Sequence, residues 1–391
     1  MEQVVDSRLN NRVELLRSFG ATAGVTSELL SYNAYSFDRT LLDETLSFPL
    51  PDEEFVDEWQ MYARKVDAFG FEALADALVQ LNFPIRGGIS KTENYIAATR
   101  KGVGSREMSD ATGLSLEHPE QCHIRIHPTW AGRLPVVQTA CRADFISLVR
   151  AFSHRNEPVD VPESIGACII AGYNNWSRFH RLREKWLLMN PDSVFSMSCV
   201  SDSKHLYQDR FMILSESWYS GASPEKLQLS DAEWRRISLA IRQEHESAHY
   251  WTRRVLSSMR NQVIDEIIAD YCGLVSAIGH FRGDWLLTFF GLENYPQYRE
   301  GGRLQNYRGH PPLSDAAFVL LQKLIVASAA TLDKFHRHNA EALSGRNGNL
   351  LALLTLTNFT LEELASESAV DQLSAELRRH ISSSIKLNGV K

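Results

Sequence analysis

Apolar residues recur at helical spacing almost without a break from Ser230 to the end of the chain. Ser230, followed three residues later by Glu233, has the form of a capping box, so a long helix is predicted over about 230–258. A second helix is predicted over about 261–278, where Gly279 ends it. This part of the chain is therefore expected to be almost wholly helical, with further helices at 313–343, 349–356, 360–367 and 369–383.

The middle of the chain has a different pattern. Short apolar or alternating segments at 122–126, 134–137 and 211–214 predict strands, and segments at 144–152 and 175–188 between them predict helices. Residues before 105, including the stretch 52–81, have mainly helical spacing. The predicted fold is α+β and mainly helical. The predicted division is an N-terminal helical region at 1–105, an α+β region at 106–225 and a helical region at 226–391.

The composition excludes several classes of protein. Of 391 residues, 44% are hydrophobic and 23% are charged, which is typical of a globular protein, and a net charge of −7 argues against a nucleic-acid partner. The N-terminus has scattered charges and no apolar segment, and the most apolar later stretch, 318–330, is short and interrupted. The five cysteines form no CxxC pair, which suits reduced thiols. We therefore expect a cytoplasmic protein with no membrane partner.

The predicted 230–258 helix contains the pattern HExxH as HESAH at positions 245–249. On a helix, residues four apart are separated by about 40°, so His245 and His249 project side by side and can share one metal ion. Glu246 projects about 100° from His245, which suits a general base better than a ligand. Zinc is the expected ion because it lowers the pKa of a bound water to about 7.

The next predicted helix offers the missing ligand. Glu266 and Asp270 are four residues apart and share one face, together with Ala269, Gly273 and Ala277, whose small side chains allow a close helix neighbour. Because a buried carboxylate without a counter-charge is costly, a metal ion near this face is expected. We assign Glu266 as the third ligand and Asp270 as the acceptor that orients one histidine.

HESAH followed after 16 residues by ExxxD resembles the gluzincin class of zinc metallopeptidases. The resemblance covers about residues 205–280 and implies a zincin-like catalytic part. It implies zinc on His245, His249 and Glu266, with Glu246 as general base and Asp270 supporting a histidine. A GxMEN-type segment is absent, and Asp265 precedes the ligand where the best-known families have Asn. The expected activity is hydrolysis of a peptide or of an amide-containing small molecule.

Several points stay open at this level. A donor to the oxyanion is expected downstream, partly in the long loop 291–312, and the sequence does not choose among its candidates. The segment 211–219 is either an edge strand that aligns substrate or an ordinary core strand. His123, Arg125 and His127 share one face of a predicted strand, which favours a solvated surface over a second site. The candidate oxyanion donors are Tyr271, His280, Tyr295, Tyr298, Arg303, Tyr307 and His310.

Two alternatives to the zinc hydrolase remain. Two histidines and a carboxylate also describe a non-haem Fe²⁺ site of an oxygenase or tailoring enzyme. Glu246 with His249 matches half of a di-iron signature, for which Asp333 with His336 is the nearest second half. The other alternative is a non-catalytic helical binding protein with structural histidines. The substrate and the oligomeric state do not follow from the sequence.

Overall fold

The computed structural model describes residues 2–35, 37–42, 46–191, 195, 203–258, 262–382 and 386–387, with backbone alone at 2–6 and 386–387. The fold is α+β and mainly helical, as predicted. The described elements, in chain order, are α1 (Glu2–Ser18), α2 (Ala23–Tyr32), β1 (Ser47–Phe48), α3 (Val56–Phe69), α4 (Glu93–Lys101), β2 (Cys122–Thr129), β3 (Gly132–Thr139), α5 (Arg142–Ser153), β4 (Ala167–Asn174), α6 (Trp176–Met189), β5 (Gln208–Ser215), α7 (Asp231–Leu256), α8 (Val263–Ile278), α9 (Gly283–Phe290), α10 (Asp315–His338), α11 (Gly345–Leu356), α12 (Leu361–Leu364), α13 (Ala369–Ser382) and β6 (Lys386–Leu387).

These elements form two compact units. The helical unit consists of Met1–Pro49 together with Trp218–Lys391, and the sheet unit is Leu50–Ser217. This grouping differs from the three consecutive regions predicted at 1–105, 106–225 and 226–391. Local periodicity reports the type of each element, but it carries no signal that the first 49 residues pack with the last 174 rather than with their sequence neighbours.

The sheet unit is built on four strands in the order β2-β3-β5-β4. The β2–β3 and β4–β5 pairs are antiparallel and the β3–β5 pair is parallel. β5 lies in the interior of the sheet, and Phe211, Met212, Ile213 and Leu214 in it are fully buried. The interpretation of this segment as a substrate-aligning edge strand is therefore wrong, and it is a core strand.

The predicted helices of the sheet unit are largely present. α5 and α6 match the predicted segments, and the Asn175 side chain caps α6 by accepting from the Arg178 N–H. The stretch 52–81 contains one helix, α3, which ends at Gly70 with φ 80°, followed by 3-10 turns. The positive φ at this position ends the helix, and the residue is a glycine because other residues adopt a positive φ only at a cost in free energy.

In the helical unit, α7 and α8 lie against each other. A Cβ on Gly273 would lie 2.8 Å from the carbonyl oxygen of Ile241, so the glycine permits this close approach, as its small size predicted. α8 begins at Val263 and ends at Gly279; position 261, where it was predicted to start, lies outside the described residues. Helix α9 was not predicted, because eight residues are too few to show a clear period.

α10 is the second-longest of the described helices, after α7. Its 24 residues are long and apolar enough to cross a membrane by length and composition alone, with a mean hydropathy of 1.5 in its most apolar window. Yet 61% of that window is buried inside the protein. Packing within the helical unit therefore accounts for its apolar character.

Candidate metal centre

Helix α7 carries the two histidines and the acid of the HESAH segment. It begins at the Ser230 cap, whose side chain accepts from the Glu233 N–H, and it continues without interruption to Leu256. His245 and His249 are each 6% exposed and Glu246 is 9% exposed, so all three point into the helical unit. The apolar face of α7 thus places the motif in the interior, as the periodicity predicted.

The structure brings His245, His249 and Glu266 together. The two Nε2 atoms are 3.1 Å apart, and each lies 3.5 Å from a carboxylate oxygen of Glu266. Atoms bound to one tetrahedral zinc at about 2.0–2.1 Å lie about 3.3 Å from one another. Within the described part of the chain, this is the one cluster of three or more His, Cys, Asp or Glu side chains spaced to hold an ion. The donor set therefore fits a zinc-sized cation.

Asp270 contacts His245, as the ExxxD spacing predicted. Its Oδ1 lies 2.8 Å from His245 Nδ1, and Asp270 is fully buried. Because a carboxylate only accepts, Nδ1 carries a proton, and in the neutral ring the lone pair of His245 lies on Nε2, toward Glu266 and His249. This tautomer is the one that a metal ligand requires.

Asp270 has two further partners that the sequence did not reveal. The Tyr219 hydroxyl donates to Asp270 Oδ1 at 2.5 Å, and the Arg303 guanidinium donates to Oδ2. Arg303 Nη1 also donates to the Tyr219 oxygen at 2.9 Å. Tyr219 lies in a short 3-10 turn before α7, where no local pattern sets it apart from any other buried tyrosine. Of Tyr219 and Arg303, the sequence had indicated only Arg303, and it did so as a candidate oxyanion donor rather than as a partner of Asp270.

Glu266 has its own hydroxyl partner. Tyr307 donates its O–H to Glu266 Oε2 at 2.8 Å, and Tyr32 donates to the Tyr307 carbonyl oxygen at 2.5 Å. Arg303 and Tyr307 are the two ends of one 3-10 turn inside the 291–312 loop. The long 291–312 loop therefore supplies partners for both carboxylates of the ExxxD segment, Glu266 and Asp270.

The electrostatics of the cluster depend on burial and on close charges. Burial raises the pKa of Glu246, and the charge of Glu266 adds to the rise. Burial by itself raises the pKa of Glu266 too, but the two imidazoles hold it well below its usual value. Burial lowers the pKa of His245, yet the hydrogen bonds and charges of Asp270 and Glu266 bring it up to about 10. The pocket thus favours positive charge at the point where the three side chains meet.

The other candidate donors lie in different surroundings. The Tyr271 hydroxyl pairs with His336 Nδ1 at 2.7 Å, and Tyr298 donates to the Gly302 carbonyl. His280 and His310 are exposed and Tyr295 is half-buried. The structure therefore brings only Arg303 and Tyr307, of the seven candidates, into contact with the carboxylates of the cluster.

The weaker predicted sites are not assembled. Asp333 accepts from the Gly283 N–H and, like His336, is not part of the described cluster, so the second half of a di-iron signature is not in place. On strand β2, His123 and Arg125 are exposed and His127 is half-buried, which agrees with a solvated face.

Comparison with known proteins gives one match. A family model described as a family of unknown function, DUF7005, matches residues 14–368. No curated protein and no solved structure matches the chain. Since the family model spans most of the sequence, from within α1 to the turn before α13, the chain belongs to the DUF7005 family.

Proposed function

We propose that this protein is a metal-dependent hydrolase that cleaves a peptide or amide bond, with one divalent ion, zinc foremost, on His245, His249 and Glu266. The observation that carries the proposal is the convergence of three buried side chains: the two Nε2 atoms are 3.1 Å apart, His245 Nε2 lies 3.5 Å from Glu266 Oε2, and His249 Nε2 lies 3.5 Å from Glu266 Oε1. The likeness of the HESAH and ExxxD segments to gluzincin metallopeptidases supports the same assignment.

A bound divalent ion would act as a Lewis acid, making a water more acidic and polarising a substrate carbonyl. The carboxylate of Glu246 would accept a proton from the attacking water and then pass that proton to the leaving nitrogen. Its position beside His245 in sequence, and its raised pKa, suit a group that must hold this proton for part of the cycle.

The remaining residues keep the ligands in place. Asp270 fixes the tautomer and orientation of His245, and Tyr219 and Arg303 satisfy the rest of the Asp270 carboxylate. Burial raises the pKa of Tyr219 well above its usual value, so its hydroxyl stays a neutral donor. These contacts hold the imidazole before any substrate arrives, which reduces the reorganisation needed in the reaction.

The test is Glu246→Gln, assayed with a library of synthetic peptides read by mass spectrometry, alongside elemental analysis of protein purified without a metal-affinity tag. The variant is expected to keep one zinc per chain and to lose turnover by about 10²- to 10⁴-fold, because only the proton acceptor is removed. Glu244→Gln, the same chemical change on the same helix, is the matched control and is expected to cleave like the wild type.

Three results would redirect the proposal. Full cleavage by Glu246→Gln removes Glu246 from the mechanism. Iron in place of zinc favours the oxygenase alternative, and a chain that takes up no metal favours a non-catalytic binding protein.

A further inference from the structure

The two ExxxD carboxylates of α8, Glu266 and Asp270, each contact one end of the 3-10 turn in the 291–312 loop. Arg303, the first residue of the turn, contacts Asp270, and Tyr307, the last, contacts Glu266. The ends of the turn are about 8 Å apart at 2.0 Å per residue, and Glu266 and Asp270 are about 6 Å apart along α8. The turn therefore runs alongside α8 in the opposite direction, with one contact at each end.

Residues outside the metal cluster also bind the 303–307 turn. The Tyr32 hydroxyl of α2 donates to the Tyr307 carbonyl, and the Tyr298 hydroxyl accepts from the Gln305 N–H. A Cβ on Gly302 would lie 2.6 Å from the carbonyl oxygen of Phe290, so the chain entering the turn passes tightly over the end of α9. Arg303 is buried in this setting and Tyr307 is half-buried.

The contact of Arg303 with Asp270 and the contact of Tyr307 with Glu266 differ in charge. Arg303 brings a permanent positive charge to Asp270, whereas Tyr307 brings a neutral O–H to Glu266. The Tyr307 hydroxyl is the donor in this contact, because an ionised carboxylate can only accept. A carboxylate oxygen that accepts this hydrogen bond has less electron density to offer a cation than the other oxygen.

Both oxygens of Glu266 face the imidazoles, Oε2 at 3.5 Å from His245 Nε2 and Oε1 at 3.5 Å from His249 Nε2. We propose that Arg303 and Tyr307 form a clamp on the ExxxD carboxylates in which Tyr307 is a positioning residue: its hydrogen bond to Oε2 leaves Oε1 as the oxygen that would bind the ion. The inference rests on the proposed metal site. It assigns the 291–312 loop to the metal centre, and it predicts that metal affinity and coordination number depend on a side chain that does not touch the ion.

The experiment uses the full chain stripped of metal and titrated with Co²⁺, whose visible absorption is strong in four-coordinate sites and weaker at higher coordination numbers. Tyr307→Phe is expected to bind Co²⁺ about 10- to 100-fold more weakly, because support of a ligand is lost. Its visible absorption is expected to fall, because both oxygens of Glu266 become available. Tyr295→Phe, which removes a hydroxyl from a half-buried tyrosine of the same loop outside the described hydrogen bonds of the cluster and the turn, is expected to keep the wild-type spectrum.

Arg303→Gln provides a second measurement that does not depend on how well Tyr307→Phe folds. It is expected to weaken Co²⁺ binding by about tenfold while keeping the wild-type spectrum, since the partner of Glu266 is intact. A wild-type spectrum and affinity in Tyr307→Phe would overturn the clamp, and so would an equal loss of absorption in Tyr295→Phe or Arg303→Gln. If the wild type itself binds no Co²⁺, the metal site and the clamp both fall, whereas the other outcomes concern the clamp alone.

Discussion

Among the buried carboxylates, Asp209 in the sheet unit and Glu266 in the helical unit have contrasting sets of partners. In the sheet unit, Asp209 accepts from the Trp59 indole at 2.8 Å and from the Asn175 amide at 2.7 Å, and it pairs with Arg178. In the helical unit, the described ion-pair partners of Glu266 are two imidazoles, and its remaining contact is a neutral hydroxyl.

The difference separates a structural site from a candidate functional one. Burial raises the pKa of Asp209, against the opposing effect of Arg178, but a permanent positive charge is always present beside it. The charge beside Glu266 is instead titratable: burial lowers the pKa of His245, yet Asp270 and Glu266 bring it up to about 10, and a metal ion can replace the proton that this ring takes up. A carboxylate with titratable partners leaves a place for a cation, whereas one with an arginine and two N–H donors does not.

The largest expected effect tests the structural side of this comparison. Asp209→Ala leaves the guanidinium of Arg178 buried without its carboxylate, and it is expected to lower the free energy of unfolding by about 3–5 kcal/mol. Zinc content per folded chain should not change. Denaturant unfolding measures the first quantity and elemental analysis the second, with the exposed Asp160→Ala as control. Loss of zinc in Asp209→Ala would show that the two carboxylates are not independent.

The second prediction tests the functional side. Asp270→Asn keeps an acceptor for His245 but removes the charge and one acceptor oxygen, so zinc affinity is expected to fall about 10- to 100-fold. Competition with a fluorescent chelator measures this change. Asp333→Asn makes the same substitution at a residue that caps Gly283, and it is expected to leave zinc affinity unchanged. Equal affinities for Asp270→Asn and the wild type would remove Asp270 from the centre.

The smallest expected effect separates helix stability from metal binding. Ser230→Ala removes the cap of α7 and Thr92→Ala removes that of α4, each of which accepts an N–H at 3.3 Å. Each change is expected to cost about 1 kcal/mol of stability, seen as a lower midpoint in thermal unfolding. Ser230 lies about 22 Å along α7 from His245, so zinc affinity should stay the same. A weaker zinc site in Ser230→Ala would mean that the whole helix, rather than its local contacts, positions the ligands.

The sequence predicted those parts of the centre that depend on local spacing. His245 and His249 lie on one helix, and Glu266 and Asp270 lie on the next, so helical periodicity was enough to group them in pairs. The small residue Gly273 correctly indicated that these two helices approach closely. The mainly helical α+β fold follows from the same kind of periodic pattern.

The contacts that sequence spacing could not predict are made by residues that lie far apart in the sequence. Tyr219 reaches Asp270 from before α7, and Tyr307 reaches Glu266 from 41 residues later in the chain. The pairing of the first 49 residues with the C-terminal helices is of the same kind. Such contacts depend on tertiary packing, for which a single sequence offers no periodic signal.

The central claim is that one cation binds where the two histidines and Glu266 meet. The most direct measurement is anomalous X-ray scattering at the zinc edge from crystals of the full chain, purified without a metal-affinity tag. The account predicts a single peak about 2 Å from His245 Nε2, His249 Nε2 and one oxygen of Glu266. A peak elsewhere, or none, with the Glu266 carboxylate turned away from the two rings, would contradict it.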